Sequence, residues 1–416
     1  MSGGRWKTNL DDWIGRARAV GVRAELERRG LWTKALIGDR GAPCPGCGGR
    51  DRFAVNVRKD VWVCRASSSG GDAIALAQHI DGSDFLAACE TVLGEPRPDG
   101  RALSDAEKRD FAARAERMRR EEERRRTDAA ASQARFRERE RKSAHEIWSK
   151  ALPLAGTQAE AYLALRGLVA PPGARLRYEP EAPLWDRPPE HGGRVLHRGP
   201  AMVAAIEGPD GRFAGVHRTW IDLSQPGGKA LVADPKTGEL APAKKVRGSV
   251  RGGSILLRPA CLHVGFPGDW FAPTRLFLGE GNETTLAVFC ALEAAGSTLL
   301  ERAEFRAAVS LGNLAGRAAG RVRHPTLTRP DKNGVARPVF VPSAEPAEDD
   351  GDPVIPVPAS VRELWLLGDG DSEPVFTRLA LERAARRFMR ARPEFEAVRL
   401  AMAKPGRDFN DMWRAA

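Results

Sequence analysis

Long apolar runs, disulfide-forming cysteines and tyrosines are scarce in this sequence of 416 residues. No stretch of eighteen consecutive apolar residues occurs. A membrane-spanning helix needs about 20 of them, so we expect no membrane partner. The opening residues, MSGGRWKTNLDDW, contain no apolar core of a secretory signal. Six cysteines in so long a chain do not form a disulfide scaffold, and we expect the protein to work in the reducing cytoplasm.

The charge balance of the chain is strongly basic. There are 66 Lys and Arg residues against 55 Asp and Glu, which gives a formal net charge of +11 and a pI near 9.7. Such a balance favours a polyanionic partner, and nucleic acid is the commonest one. An arginine-rich composition inherited from a GC-rich genome is the alternative explanation.

The chain divides into four segments by composition. Residues 1–100 form a small cysteine-containing module, and residues 101–148 form a charged linker that we expect to be one long solvated helix. A mixed α+β subdomain follows over residues 149–270. Residues 271–416 alternate short apolar strands with helices, a pattern that predicts a parallel sheet with crossover helices. The predicted fold class is therefore α/β in the C-terminal part and multi-domain α+β overall.

A proline-rich insertion interrupts this alternation at about residues 323–360. Proline removes a backbone donor and disfavours sheet interiors. We therefore expect an irregular surface loop there.

Three cysteines in the first module have the spacing of a zinc ribbon. Cys44 and Cys47 form a C-x2-C turn, and Cys64 follows two predicted hairpin strands at 53–57 and 61–64. Zinc prefers four sulfur or imidazole ligands in a tetrahedron.

The fourth cysteine of a ribbon would stand at position 67, where this chain has Ser67, a poor zinc ligand. Water, His79 or Asp72 could complete the site instead, or the metal could be lost. Asp72 is also well placed to cap the helix that follows.

Basic and aromatic residues surround this predicted hairpin. Arg50, Arg52 and Trp62 have the combination that contacts single-stranded nucleic acid through phosphate pairing and base stacking. The aromatic rings could equally pack the small core of the ribbon.

Carboxylates end two of the apolar strands in the C-terminal part. Glu280 follows LFLG, and Asp369 and Asp371 follow LWLLG. Carboxyl ends of parallel strands are where open α/β sheets place their chemistry. A lone Glu with an Asp-x-Asp pair suits Mg²⁺ or Mn²⁺ and phosphoryl transfer. Each motif alone could instead be a turn or a helix cap.

Four motifs, taken together, resemble DNA primases of phages, plasmids and integrated elements. PCPGCGGRDRFAV with SGGDAIAL is similar to their CHC2-type zinc ribbon, and LFLGEGNETTLAVFC with LLGDGD resembles the Toprim catalytic domain. KPGRDFNDMW is similar to the ending of these primases, and GTQAEAYLALRGL resembles the segment that precedes their Toprim domain. The resemblance spans most of the chain apart from the linker and the insertion.

The resemblance implies synthesis of short RNA primers on single-stranded DNA from NTPs. It implies Mg²⁺ held by Asp369 and Asp371, with Glu280 as general base or further ligand. Asp408 and Asp411 are implied to hold a second metal or to brace the first. Basic residues of the upstream segment are implied to neutralise NTP or template phosphates: Arg218, Lys229, Lys244 and Lys245.

Two other functions use the same residues. A Toprim-type nuclease or topoisomerase-like enzyme would cut DNA with these carboxylates, but the only tyrosines, Tyr162 and Tyr178, lie in the upstream segment. A non-catalytic DNA-binding accessory protein is the other alternative. No G-x4-G-K-[ST] sequence is present, so we expect DNA unwinding by a separate helicase.

Overall fold

The chain folds into a mixed α+β structure with several sheets, which confirms the predicted fold class. The computed structural model describes residues 3–33, 36, 42–57, 59–67, 69–98, 105–187, 192–260, 272–330, 335–348, 351 and 353–416. The chain forms two compact units, Met1–Thr127 and Asp128–Ala416. Among the described residues, no helix has both the length and the apolarity that crossing a membrane requires.

The first unit contains a four-stranded sheet and a set of helices. The sheet has the order β1-β2-β3-β4, and each neighbouring pair is antiparallel. The elements are α1 (Gly3–Arg18), α2 (Val22–Arg28), β1 (Ala42–Cys44), β2 (Gly48–Asn56), β3 (Val61–Cys64), β4 (Ser69–Gly71), α3 (Ala73–Asp81) and α4 (Phe85–Leu93). The predicted hairpin is confirmed, with Phe53 paired to Cys64 across β2 and β3.

A long helix, α5 (Asp105–Lys150), begins in the first unit and ends in the second. Its sequence is dense in arginine and glutamate, and pairs such as Arg120 with Glu116 at 2.8 Å lie on its exposed surface. Exposed pairs of this kind add only a few tenths of a kcal/mol each. The prediction of a solvated helix in this stretch is confirmed.

The second unit begins with an antiparallel sheet of five strands in the order β11-β8-β7-β6-β5. One face of this sheet packs with α6 and α7 in the largest apolar cluster of the described chain. The elements are β5 (Leu152–Pro153), α6 (Gln158–Leu165), β6 (Leu176–Trp185), β7 (Val195–Glu207), β8 (Phe213–Trp220), the small pair β9 (Val232–Ala233) and β10 (Leu240–Ala241), and β11 (Lys244–Gly248).

A second sheet of five strands has the order β12-β14-β13-β17-β18, and all strands but β12 are parallel. The alternation of strands and helices predicted this arrangement. The elements are β12 (Ile255–Arg258), β13 (Arg275–Gly279), α7 (Asn282–Ala294), a 3-10 turn (Thr298–Leu300), β14 (Ala303–Ala307), α8 (Leu311–Ala315), β15 (Arg321–Pro330), β16 (Ala336–Pro342), β17 (Glu363–Gly368), α9 (Pro374–Ala391), β18 (Ala397–Met402) and α10 (Phe409–Arg414).

Both faces of the parallel sheet are covered, which explains its continuous apolar strands. Phe277 points to the face shared with α7, whereas Leu276 and Leu278 point to the face shared with α9. Successive residues of a strand face opposite sides, so each run needs apolar residues at every position.

The strands that follow β13 in the chain lie on both sides of it in the sheet. The chain passes from β13 through α7 to β14 on one side, and later enters β17 on the other side of β13. In open α/β sheets this reversal opens a crevice at the carboxyl ends of the two strands. Here those ends belong to β13 and β17, the strands followed by Glu280 and Asp369.

The expectation of an irregular loop at about 323–360 is wrong for its first part. β15 and β16 form an antiparallel hairpin. The prolines are tolerated because a two-stranded ribbon leaves one edge of each strand unpaired, and Pro325 lies where the register shifts. The hairpin is held at its base by Arg383 of α9, whose guanidinium donates to the carbonyls of Gly316 and Ser343.

We predict that Arg383→Met loosens this hairpin. The substitution leaves two partly buried carbonyls without their donor, at a cost of about 2 kcal/mol, and faster amide hydrogen exchange over 316–343 is the expected readout. Arg378→Met, on the exposed face of the same helix, should change neither exchange nor stability. Equal exchange in the two variants would contradict this role of Arg383.

Candidate functional site

Two acidic strand ends lie side by side at the crevice of the parallel sheet. Gly279 and Leu367 are register partners in β13 and β17, so Glu280 and Asp369 leave adjacent strands at the same edge. The Thr284 hydroxyl of α7 donates to the Asp369 carboxylate, with Oγ1 2.8 Å from Oδ2 and 3.0 Å from Oδ1. This hydrogen bond fixes the orientation of Asp369.

Negative charge at this edge is not balanced. The pKa of Asp369 is raised to about 6, first by burial and then by the charges of Asp408, Asp371 and Glu280, although the Thr284 hydrogen bond opposes the shift. Burial also raises the pKa of Glu280, although the backbone N–H of Leu311 and the charge of Lys244 oppose the shift. Oxygen ligands with excess negative charge are the donor set that a divalent cation such as Mg²⁺ prefers.

The C-terminal motif packs directly against the Asp-Gly-Asp loop. The N–H of Gly370 donates to the Arg407 carbonyl at 2.9 Å, and the N–H of Gly406 donates back to Gly370 at 2.7 Å. A Cβ at position 370 would lie 2.4 Å from the Lys404 carbonyl oxygen, so only glycine permits this approach. The contact brings Asp408 towards Asp369.

Asp408 and Asp411 also form the capping box of α10. The Asp408 Oδ1 accepts from the Asp411 N–H at 2.6 Å, and the Asp411 carboxylate accepts from the Asp408 N–H. Capping therefore explains both residues structurally, as the sequence allowed. Asp408 remains close enough to Asp369 to raise its pKa.

Beside the acidic edge lies a buried ion-pair network around Glu283, which the sequence analysis missed. Its carboxylate accepts from the Tyr162 hydroxyl at 2.6 Å and from Lys244 Nζ at 2.9 Å. Lys229 Nζ lies 3.8 Å away. Burial alone would raise the pKa of Glu283, but the two lysines and the hydrogen bonds hold it well below its usual value.

One signal of this role was visible in the sequence. Glu283 is the second residue of α7, in the segment EGNET, three residues after Glu280. Its partner Tyr162 belongs to the motif GTQAEAYLALRGL, and Lys229 is one of the basic residues named with that segment. Nothing in the sequence showed that these motifs meet.

The upstream segment and the C-terminal motif also hold each other. Arg166 donates to Asn410 Oδ1 at 3.0 Å, and Asn410 Nδ2 returns a hydrogen bond to the Arg166 carbonyl at 2.8 Å. The Trp413 indole donates to the Gly167 carbonyl at 2.6 Å. Segments at opposite ends of the second unit are thus joined at the acidic edge.

Of the four upstream cations, two reach this edge and two do not. Lys229 and Lys244 bind Glu283, whereas Arg218 lies 3.8 Å from Glu179 on the other face of the antiparallel sheet. Lys245 donates to the Trp185 carbonyl on that same other face. The predicted group of four is corrected in this respect, because neighbouring residues of one strand alternate between faces.

The cysteines of the first unit gather with a histidine. Ligand atoms of Cys44, Cys47, Cys64 and His79 all lie within 4.8 Å of one another. His79 Nε2 is 3.1 Å from Cys44 Sγ, and the Sγ atoms of Cys47 and Cys64 are 3.4 Å apart. Three thiols and one imidazole are a complete tetrahedral donor set, so this cluster can hold zinc.

Ser67 and Asp72 take other roles near the cluster. Ser67 donates hydrogen bonds from its hydroxyl and its backbone to Cys64. Although burial opposes ionisation, these bonds and one from Cys47 lower the pKa of Cys64 to about 6. The Asp72 carboxylate caps α3 by accepting from the Ala75 N–H at 2.9 Å. Among the alternatives left open by the sequence, the structure favours His79.

A glycine allows this arrangement. A Cβ on Gly46 would lie 2.5 Å from the His79 carbonyl oxygen and 3.0 Å from its ring. The C-P-G-C turn therefore approaches α3 closely only because position 46 has no side chain.

Trp62 does not present its ring to a ligand, and its predicted role in DNA binding is corrected. It is 2% exposed, packs against Phe53, and donates its indole N–H to the Asp72 carbonyl at 3.0 Å. A ring on the inward face of a small sheet stabilises the core and is not accessible to a ligand. Arg52 is half-buried, and the side chain of Arg50 lies outside the described residues.

We predict that the zinc content of variants identifies His79, and not Ser67, as the fourth ligand. His79→Ala and Cys64→Ser should each lower the zinc retained by purified protein from about one ion per chain to well below one, because a tetrahedral site loses a ligand. Ser67→Ala should retain the ion. Elemental analysis is the measurement, and zinc retained by His79→Ala but lost from Ser67→Ala would exclude His79 as the fourth ligand.

We predict a pH dependence of stability from His217, which lies near the Glu283 network. Burial and the charges of Lys244 and Lys229 lower its pKa to about 4, against the opposing charge of Glu283. The unfolded chain then binds more protons below the ordinary His pKa of about 6.5. Between pH 7.5 and 5 the wild type should lose about 2 kcal/mol more unfolding free energy than His217→Gln.

Denaturant titrations of both proteins at the two pH values measure this difference. Other groups titrate equally in both chains, so they cancel. Parallel losses in the two proteins would show that His217 is not held neutral.

Comparison with known proteins gives one family match and two structural similarities. A family model described as a domain of unknown function (DUF7146) matches residues 138–257, which contain the antiparallel sheet. No curated protein matches the chain.

Among solved structures, the chain is similar to the Aquifex aeolicus primase (zinc-binding and RNA polymerase domains). The identity is 14% and the TM-score 0.32, over 97% of this chain and 82% of that chain. It is also similar to a DNA primase domain from Pseudomonas aeruginosa, at 15% identity and a TM-score of 0.33, over 66% of this chain and 74% of that chain. Similarities at these scores carry no functional weight.

Proposed function

We propose that the protein is a DNA primase that joins ribonucleotides on single-stranded DNA by metal-dependent nucleotidyl transfer. The observation that carries this proposal is the acidic cluster of Glu280, Asp369, Asp371 and Asp408 at the crevice between β13 and β17. Lysines stand beside it, and a cysteine-histidine cluster lies in the same chain. This combination suits polymerisation on a nucleic-acid template.

We assign metal binding and proton transfer to different acidic residues. In nucleotidyl transfer the 3′-hydroxyl of one nucleotide attacks the α-phosphate of an NTP, and pyrophosphate leaves. Mg²⁺ bound there would neutralise charge on the triphosphate. Asp369, oriented by Thr284, and Asp371 would provide oxygens for this ion, and Glu280 would accept the hydroxyl proton or add a ligand. The raised pKa of Glu280 suits proton transfer.

The lysines beside the cluster suit the phosphates of the substrate. Lys244 and Lys229 are each about one third exposed, at 35% and 33%, although both pair with Glu283. The buried Glu283 carboxylate holds both ammonium groups near the crevice, and the other side of each lysine faces solvent. They are therefore positioned to bind a triphosphate without a large loss of side-chain entropy.

The cysteine-histidine cluster favours the interpretation that the protein acts on a nucleic acid and not only on a free nucleotide. We assign template contact to the first unit, with zinc at Cys44, Cys47, Cys64 and His79 as a structural ion. A separate helicase would supply the single-stranded template.

We predict that the purified protein makes short RNA from NTPs on single-stranded DNA with Mg²⁺. Asp369→Asn should lower the rate by more than about 10²-fold, and Glu280→Gln by roughly 10² to 10⁴-fold if it is the general base. Gel analysis of labelled products over varied templates measures both.

The matched control is Glu396→Gln, an exposed carboxylate immediately before β18 at the opposite edge of the same sheet. It should keep wild-type activity. Cleavage of the DNA without RNA synthesis, abolished by the same Asp369→Asn change, would replace the primase with a nuclease.

A further inference from the structure

The hairpin of β15 and β16, here called the basic arm (residues 316–343), is fastened to the acidic loop. His324 is 2% exposed and its Nε2 donates to Glu373 Oε1 at 2.9 Å, while its Nδ1 accepts from the N–H groups of Thr326 and Leu327. Glu373 caps α9 and follows Asp371 by two residues. A surface on this arm therefore lies next to the candidate catalytic residues.

The basic arm has a strong excess of positive charge. Its sequence contains six arginines and lysines and a single acidic residue, Asp331. Both ends are held by Arg383, and Ser343 N–H donates to the Gly320 carbonyl at 2.9 Å. The arm is thus a well-anchored structure that carries its charge outward.

Strand register sorts the residues of the arm by face. Arg323 is paired with Phe340, and Arg321 lies two residues away on the same face. Phe340 is 48% exposed, whereas its neighbour Val341 is 8% exposed and turned inward. The outward face near the base therefore presents an aromatic ring beside two arginines.

Nearer the tip, Arg329 and Arg337 are paired directly across the two strands. Residues paired in register lie on one face of a ribbon, so both arginines share that face.

The edges of the arm argue against a protein strand as its partner. Prolines occur at four positions of the two strands, Pro325, Pro330, Pro338 and Pro342. Proline removes the donors that an added strand would need. Phosphates and bases need no such ladder.

We propose that the basic arm binds single-stranded DNA beside the acidic loop, with arginines on phosphates and a base stacked on Phe340. That this strand is the primer template rests on the proposed function. Binding itself does not require catalysis and is tested separately.

The test uses the full chain, a fluorescein-labelled single-stranded DNA of mixed sequence, and no nucleotides. Affinity is measured by anisotropy across a series of salt concentrations. Arg323→Ala/Arg329→Ala should make the slope of log K against log salt shallower by about 1.4, since each phosphate contact on a single strand contributes about 0.7. Phe340→Ala should weaken binding roughly 5- to 100-fold with the slope unchanged, because stacking releases no counterions.

Matched controls are Arg175→Ala/Arg378→Ala, which removes two exposed arginines that already pair with acids, and Leu400→Ala for Phe340. Both should bind as the wild type does. Wild-type affinity and slope in the arm variants would overturn the proposal even if the protein makes primers. Weakened binding in those variants would uphold it even if no RNA is made.

Discussion

The pairing of Glu283 with Lys244, Lys229 and Tyr162 is the interaction on which the second unit depends. A carboxylate buried at the start of α7 would be very costly alone, and removing one partner of such a group typically costs 3–5 kcal/mol. The partners come from α6, from β11 and from the segment before β9, whereas Glu283 belongs to the helix after β13. These ion pairs therefore join the antiparallel and parallel sheets where Glu280 and Asp369 follow their strands. The relative position of the two sheets has little freedom as a result.

Two neighbouring carboxylates in this region have opposite environments. Glu283 is fully paired, and its pKa is held well below the usual value. Asp369 is surrounded by other acids, and its pKa rises to about 6. Paired charge stabilises a fold, whereas unbalanced charge destabilises it and is retained where chemistry needs it. This contrast distinguishes the ion-paired acid from the candidate catalytic acid more clearly than sequence position does.

Strong local patterns were sufficient to predict the parallel sheet, the cysteine hairpin and the capped helix α3, because each depends on residues close together in the chain. The Glu283 network was not predictable in this way, since its hydrogen-bonded partners lie 39 and 121 positions away. Arg218 and Lys245 were grouped with Lys229 because sequence alone did not establish which face of each strand turns to the crevice. For Trp62 the sequence left a DNA contact and a core position both open, because the pattern of a small sheet does not show which face is buried. The prolines led to the prediction of a loop where the structure has a hairpin. A two-stranded ribbon tolerates prolines that the interior of a wider sheet does not.

The closeness of the two ends of the arm has a consequence for how the length of the arm can vary. Gly316 and Ser343 meet at one guanidinium, so the intervening chain leaves and returns at nearly the same point. Doubling the length of such a closed segment adds only about 0.6 kcal/mol of closure entropy. The arm is therefore an exchangeable module. It can be lengthened, shortened or replaced while β17 and the following Asp369 and Asp371 keep their positions.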